Sequence, residues 1–207
     1  RPAVTHDGNH YTYGQLFNAA KHAAQMFEKT GCQYVSLLDE SSPAVPIALM
    51  GAAMAGIPYV PLNYRLSKEQ LLPLFDRISP AYLIRGKRDD NYDFEDWIVE
   101  ESNDFLHKCL EAEHSDYFKD VDPNEVAVQL FTSGTTGTPK AALLRHEHLV
   151  SYILGSVEFM GAMEEEAALV SVPPYHIAGI SAVMSNIYAC RQVVQLPNFN
   201  ASEWLKL

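Results

Sequence analysis

Amphipathic segments with helical spacing alternate with short apolar runs along this chain, and no other feature restricts its fold as much. Leu16, Ala19, Ala20, Ala23, Ala24 and Phe27 recur at helical intervals in "YTYGQLFNAAKHAAQMFEKTG", with Gly31 as the stop. "YVSLLD" then reads as a strand. "SSPAVPIALMGAAMAG" reads as a helix capped by Ser42, with Pro43 in its first turn and Gly56 at its end. The order repeats with "PYVPL" as a strand, "SKEQLLPLFDRI" as a helix kinked at Pro73, and "AYLIR" as a strand. Farther on, "VAVQLF", "ALVSV" and "QVVQL" are strands, and "HEHLVSYILGSVEFM" and "IAGISAVMSNIYA" are the helices between them. Asn200 or Ser202 caps a last helix in "NASEWLKL". Alternation of this kind builds βα units, so the fold class is α/β with largely parallel sheets flanked by helices.

Composition narrows the partners. Of 207 residues, 47% are hydrophobic, enough for a sizeable core and too many for a disordered chain. The formal charge of −11 disfavours nucleic acid and anionic membrane, which need a basic face, but leaves room for a phosphate held by a few local donors. The uncharged run from Val45 to Leu62 is long enough to raise a membrane span, yet Pro46, Gly51, Gly56, Pro58 and Pro61 break it. No transmembrane segment is therefore expected. Cys32, Cys109 and Cys190 are odd in number and far apart, as reduced thiols of a cytoplasmic protein would be. The opening "RPAVTHDGNHY" has no signal-like apolar stretch and no starting methionine, and is read as part of a longer product. Residues 89–125 carry fourteen Asp and Glu against two Lys and no Arg. That stretch is expected to be a solvated helix-and-loop connection between a first α/β part, 1–88, and a second, 126–207; a docking surface for a basic partner is the other reading.

The strand "VAVQLF" runs into "TSGTTGTPK", Thr132 to Lys140, a segment poor in packing value and dense in donors. Gly134 and Gly137 leave the backbone free to approach phosphate oxygens. Thr132, Ser133, Thr135, Thr136 and Thr138 bring hydroxyls, and Lys140 brings a mobile positive charge. Charge-assisted hydrogen bonds are worth about 1.5–3 kcal/mol each, so a few dominate recognition of a triphosphate. The segment is not a Walker loop, because Lys140 follows Thr-Pro and Ala141 stands where Ser or Thr would bind magnesium. Nor is it the G-x-G-x-x-G turn of dinucleotide folds. A polar surface loop without a ligand remains the alternative on composition alone.

The string "FTSGTTGTPK" is similar to the phosphate-binding signature of the adenylate-forming superfamily, which holds acyl- and aryl-CoA synthetases, luciferases and adenylation domains. "AGIPYVPLNYRLS", Ala55 to Ser67, resembles the family segment with "PLN" and a following arginine, and "PPYHIAGI", Pro173 to Ile180, resembles its P-x-x-H-x-x-G segment. "YTYGQL" and "LLRHEHL" add weaker likeness. The resemblance spans the chain but only the first half of the family's architecture. It has no counterpart here of the downstream "YG-x-T-E" and "TGD" segments, the hinge, or the C-terminal lid with its lysine. It therefore implies an N-terminal piece of a longer enzyme whose partners include that lid domain.

What the resemblance implies is specific. The Thr132–Lys140 loop closes over the phosphates of ATP, and Thr132 helps hold Mg²⁺. His176 borders the acyl or aryl pocket and the thiol channel, and Gly179 lets the following helix come close. Arg65 is itself read as making structural hydrogen bonds, with a substrate role as the other reading. Despite a family match at His146, the residues themselves read His146 and His148 as helix-start or surface positions. Two positions depart from the family pattern: Ala141 replaces a glycine and Arg145 a threonine. "PPYHIAGI" offers no aspartate for a substrate ammonium, whose burial unpaired is costly, so a plain fatty or aryl acid is favoured over an amino acid. The implied chemistry is adenylation of that acid followed by transfer to the thiol of coenzyme A. Transfer to a carrier protein is the nearest alternative, and a non-catalytic nucleotide-binding module a further one.

Overall fold

The computed structural model describes residues 1–88, 92, 94–132 and 139–206. The chain opens with a hairpin of β1 (Pro2–His6) and β2 (Asn9–Thr12), turned by Asp7 and Gly8, both at positive φ. Asp-Gly is the pair that such a two-residue hairpin turn favours. Then α1 (Tyr13–Thr30) is opened by a capping box in which Thr12 and Gln15 bond each other, and is closed by Gly31 at φ 69. Its buried residues are the six apolar ones expected from their spacing. After β3 (Tyr34–Leu38) comes α2 (Ala44–Ala55), with Ser42 Oγ 3.3 Å from the Ala44 N–H; Pro43 precedes this helix, and Pro46 occupies its first turn instead. Next are β4 (Tyr59–Pro61), α3 (Lys68–Phe75) and β5 (Ala81–Arg85). Pro73 lies within α3, which ends at Phe75 rather than reaching Ile78.

The acidic stretch is more structured than a solvated connection. It contains β6 (Ile98–Glu101) and α4 (Ser102–Leu110), and Phe105 and Cys109 of α4 are fully buried. Glu100, only 8% exposed, accepts hydrogen bonds from the Tyr82 hydroxyl and the Lys108 ammonium, which satisfies a carboxylate that would otherwise be costly to bury. Phe27 stacks on Phe105 at 5.9 Å and meets Tyr82 edge-on at 5.0 Å.

The second half contains β7 (Val126–Thr132), β8 (Lys140–Arg145), α5 (His146–Ser156), β9 (Ala167–Val170), α6 (Ile177–Tyr188), β10 (Gln192–Gln195) and α7 (Ala201–Trp204), the last capped by the Asn200 side chain. A strand, β8, thus separates the loop from the helix expected to follow it. That helix stops at Ser156 rather than Met160, because the chain turns there to place Met160 N–H on Tyr188 O and Ala162 N–H on Ala189 O.

Two sheets result, and each draws strands from both halves of the chain. One has the order β2-β1-β10-β9, the other β6-β5-β3-β4-β7-β8. Within the larger sheet β6, β5, β3, β4 and β7 are parallel, and only the β7–β8 pair is antiparallel. Its two faces are covered differently, as strand alternation requires. Val35, Leu37, Tyr82 and Ile84 join the core under α1, α2 and α4, whereas Leu38, Val60 and Leu83 pack with Leu71, Leu74 and Phe75 of α3. The connections after β3 and β4 therefore leave to opposite faces. Ligands of open α/β sheets bind at such a switch point, outside the carboxyl ends of the strands.

Candidate adenylate site

The segment expected to bind phosphate joins β7 to β8. Thr132 pairs with Lys140 in register, and the Thr132 hydroxyl donates to Lys140 O at 3.3 Å, so both ends of the loop are pinned at the carboxyl end of β7. Thr132 and Lys140 are exposed there. Ser133, Gly134, Thr135, Thr136, Gly137 and Thr138 lie outside the described residues. Sequence reasoning missed Arg77, just past α3. Its guanidinium donates to Pro139 O at 2.6 Å and lies 4.8 Å from the Phe131 ring centroid, bridging the two arms of the hairpin. No local pattern marks it, since its partners are distant in sequence.

His176 sits at the amino end of α6, beyond the carboxyl end of β9, with its side chain exposed. Its carbonyl accepts the Gly179 N–H at 2.9 Å and its own N–H donates to Pro173 O at 3.1 Å, which folds "PPYH" into a tight turn. Gly179 is needed for close approach: a Cβ there would lie 2.8 Å from Pro173 O. Tyr175 stacks at a tilt on His176 at 4.6 Å and meets Tyr64 edge-on at 5.6 Å, linking the two sheets.

Asn198, after β10, was not foreseen, and it organises the switch point. Its amide oxygen accepts from the Tyr64 hydroxyl and from the Arg65 guanidinium (3.0 Å), both after β4; its amide nitrogen donates to Glu40, after β3. Ser41 N–H donates to Pro197 O at 3.2 Å beside it. Arg65 thus makes the structural hydrogen bond expected of it, and also lies 5.5 Å from the Tyr64 ring centroid. Burial holds the Tyr64 phenol above its usual pKa, partly offset by Arg65. His148 accepts the Arg145 N–H at 3.2 Å, while Arg145 itself reaches Asn124 O. His146 is half-buried with Nε2 sealed and unpartnered.

Among the described residues no cluster of three His, Cys, Asp or Glu side chains is poised to hold a metal, and no helix is long and apolar enough to cross a membrane.

A family model described as AMP-binding enzyme matches residues 1–207. The chain belongs to the AMP-binding enzyme family. A 2-succinylbenzoate–CoA ligase of Bacillus cereus is 25% identical over 205 residues, covering 97% of this chain and 41% of that relative. One from Bacillus mycoides is 23% identical over 207 residues. The chain therefore spans about two-fifths of the relatives it matches. Among solved structures, ATP-bound MatB from Rhodopseudomonas palustris superposes with a TM-score of 0.86 at 23% identity, covering 100% of this chain and 44% of that one. The o-succinylbenzoate CoA synthetase of Bacillus subtilis in complex with its acyl-adenylate intermediate gives 0.76 at 22%, covering 100% and 55%. These likenesses show the fold.

Proposed function

We propose that this chain is the ATP-phosphate-holding part of an AMP-forming acid–thiol ligase, which joins a plain carboxylic acid to ATP as an acyl-adenylate and then passes the acyl group to coenzyme A. The observation that carries the reading is the pinned hairpin: in a chain of the AMP-binding family, a hydroxyl- and glycine-rich loop springs from the carboxyl end of a parallel strand with Thr132 and Lys140 exposed at its base. A carboxylate attacking a polyphosphate needs charge neutralisation and alignment above all. Lys140 offers the charge, and the loop residues Ser133 to Thr138 offer hydroxyls and backbone donors. Thr132 offers Mg²⁺ one oxygen; the described residues add no carboxylate cluster to it, so the ion would arrive with the phosphates, as Mg²⁺ commonly does. His176 and Tyr175 border the acyl side.

The complete reaction belongs to a longer polypeptide, whose further domain completes the site. Val150 and Leu154, one turn apart on α5, are exposed, an apolar pair that supports cover by further chain. A cytoplasmic setting, with three free thiols, is part of the same reading.

The test is titration with ATP and Mg²⁺, followed by pyrophosphate exchange. The 207 residues alone should bind ATP, with Lys140→Ala lowering affinity at least about tenfold. They should exchange pyrophosphate at least about a hundredfold more slowly than the longer enzyme, as expected when one preorganised donor is missing. ATP binding indifferent to Lys140→Ala would overturn the proposal.

A further inference from the structure

On the α3 face of the larger sheet, four aromatic rings form a cluster beside an open cleft of about 290 Å³. Phe94 stacks on Trp97 at 4.7 Å, and Phe75 meets Tyr92, Phe94 and Trp97 edge-on at 5.0, 5.2 and 5.3 Å. The indole N–H is satisfied by Ser79 Oγ at 3.1 Å, which fixes the Trp97 plane. Phe75 is buried, while Tyr92, Phe94 and Trp97 are only half-buried. Asp76, Glu95 and Asp96 line the same cleft, and none has an ion-pair partner among the described residues. Asp76, Glu95 and Asp96 are themselves exposed, so the cleft sets three solvated carboxylates beside half-buried rings.

Ring faces are electron-rich and attract cations, most strongly those whose alkyl groups make desolvation cheap. The folded chain already uses this: Lys68 Nζ lies 5.3 Å from the Tyr92 centroid.

We propose that this cleft binds an organic cation, an alkylated ammonium whose apolar shell lies on Trp97, Phe94 and Tyr92 while Asp76, Glu95 and Asp96 neutralise its charge. The inference is independent of the adenylation reading and uses none of its residues.

Choline and 3,3-dimethylbutan-1-ol are nearly the same shape and differ in charge, so they isolate the claim. Emission of Trp97, followed in a Trp204→Phe background, reads the cleft directly. The protein should show a saturable response to choline at least about fivefold tighter than to the neutral alcohol. Combined Asp76→Asn, Glu95→Gln and Asp96→Asn should remove that preference with the melting temperature and far-UV spectrum unchanged. Phe94→Leu, which keeps apolar volume but loses the ring, should weaken choline more than the alcohol. Equal response to both ligands, absence of saturation, or undiminished choline binding in the carboxamide variant would each overturn the proposal.

Discussion

Gly51→Ala sets two effects of comparable size against each other, and the packing of α1 on α2 decides between them. Replacing glycine by alanine inside a helix normally stabilises it by about 1 kcal/mol. Here the new Cβ would lie 2.8 Å from Ala23 Cβ, 3.0 Å from Ala20 O and 3.2 Å from Ala24 N. Carbon atoms rest at about 3.5–4.0 Å, so the helices would have to part by the better part of an ångström. The obstructing atoms are backbone and a fully buried methyl, with no flexible side chain able to swing aside. Overpacking of this kind costs about 1–3 kcal/mol. Because it also loosens the Ala19–Ala24 stripe along its length, its upper half is the relevant range. The net expectation is destabilisation by about 1–2 kcal/mol. Gly155→Ala is the control of opposite sign, since nothing lies within 4 Å of its Cβ position on α5; it should be neutral or stabilising by up to about 1 kcal/mol. Urea titration of both variants reads the difference, and in a chain of this size 1 kcal/mol moves the melting temperature by about 2–4 °C. If Gly51→Ala matched or exceeded Gly155→Ala in stability, the close helix contact would be wrong.

Asn198→Ala should cost about 1–3 kcal/mol, because it leaves Glu40, Tyr64 and Arg65 without their shared partner. A cycle with Tyr64→Phe should show coupling of at least about 0.5 kcal/mol in urea melts; strict additivity would mean the hydrogen bond contributes nothing. His146 should make stability fall with acidity. Burial lowers its folded pKa below the ordinary imidazole value of 6.5, with Glu125 opposing. The unfolded chain therefore takes up a proton first, and stability declines as pH drops from above 6.5 toward the lowered folded value. His146→Gln should flatten melting temperature across that window, and an unchanged slope would remove His146 as its source.

The features legible in the sequence were local ones. Six apolar residues at helical spacing placed the buried face of α1 because periodicity and burial have one cause. The Thr132–Lys140 segment stood out because hydroxyls, glycines and a lysine at a strand end have little to contribute to a core. The Asp7-Gly8 turn was equally local and went unread; its signal was the Asp-Gly pair between the β-favouring flanks of β1 and β2. β8 escaped because "KAALLR" is short and half-exposed, and its strand character comes from pairing with β7 rather than from its own pattern. Burial of Glu100 escaped for a related reason: acidity marks solvent on average, and only Tyr82 and Lys108 make this carboxylate an exception.

Asn198 shows where such reading must stop and topology must take over. Its partners Glu40, Tyr64 and Arg65 are more than a hundred residues away, so no window around "LPNFN" contains the information. What brings them together is the order β5-β3-β4, which sends the chain after β3 to one face of the sheet and after β4 to the other. A gap opens between those two departures in any sheet with this order. Asn198, delivered by the second sheet, spans it with both halves of one amide, accepting on the β4 side and donating on the β3 side. Aspartate there would keep the acceptor and lose the donor, setting like charges against each other at Glu40. The placement of a neutral amide thus follows from what stands on either side of the gap, and the Tyr64–Tyr175–His176 line is oriented from it.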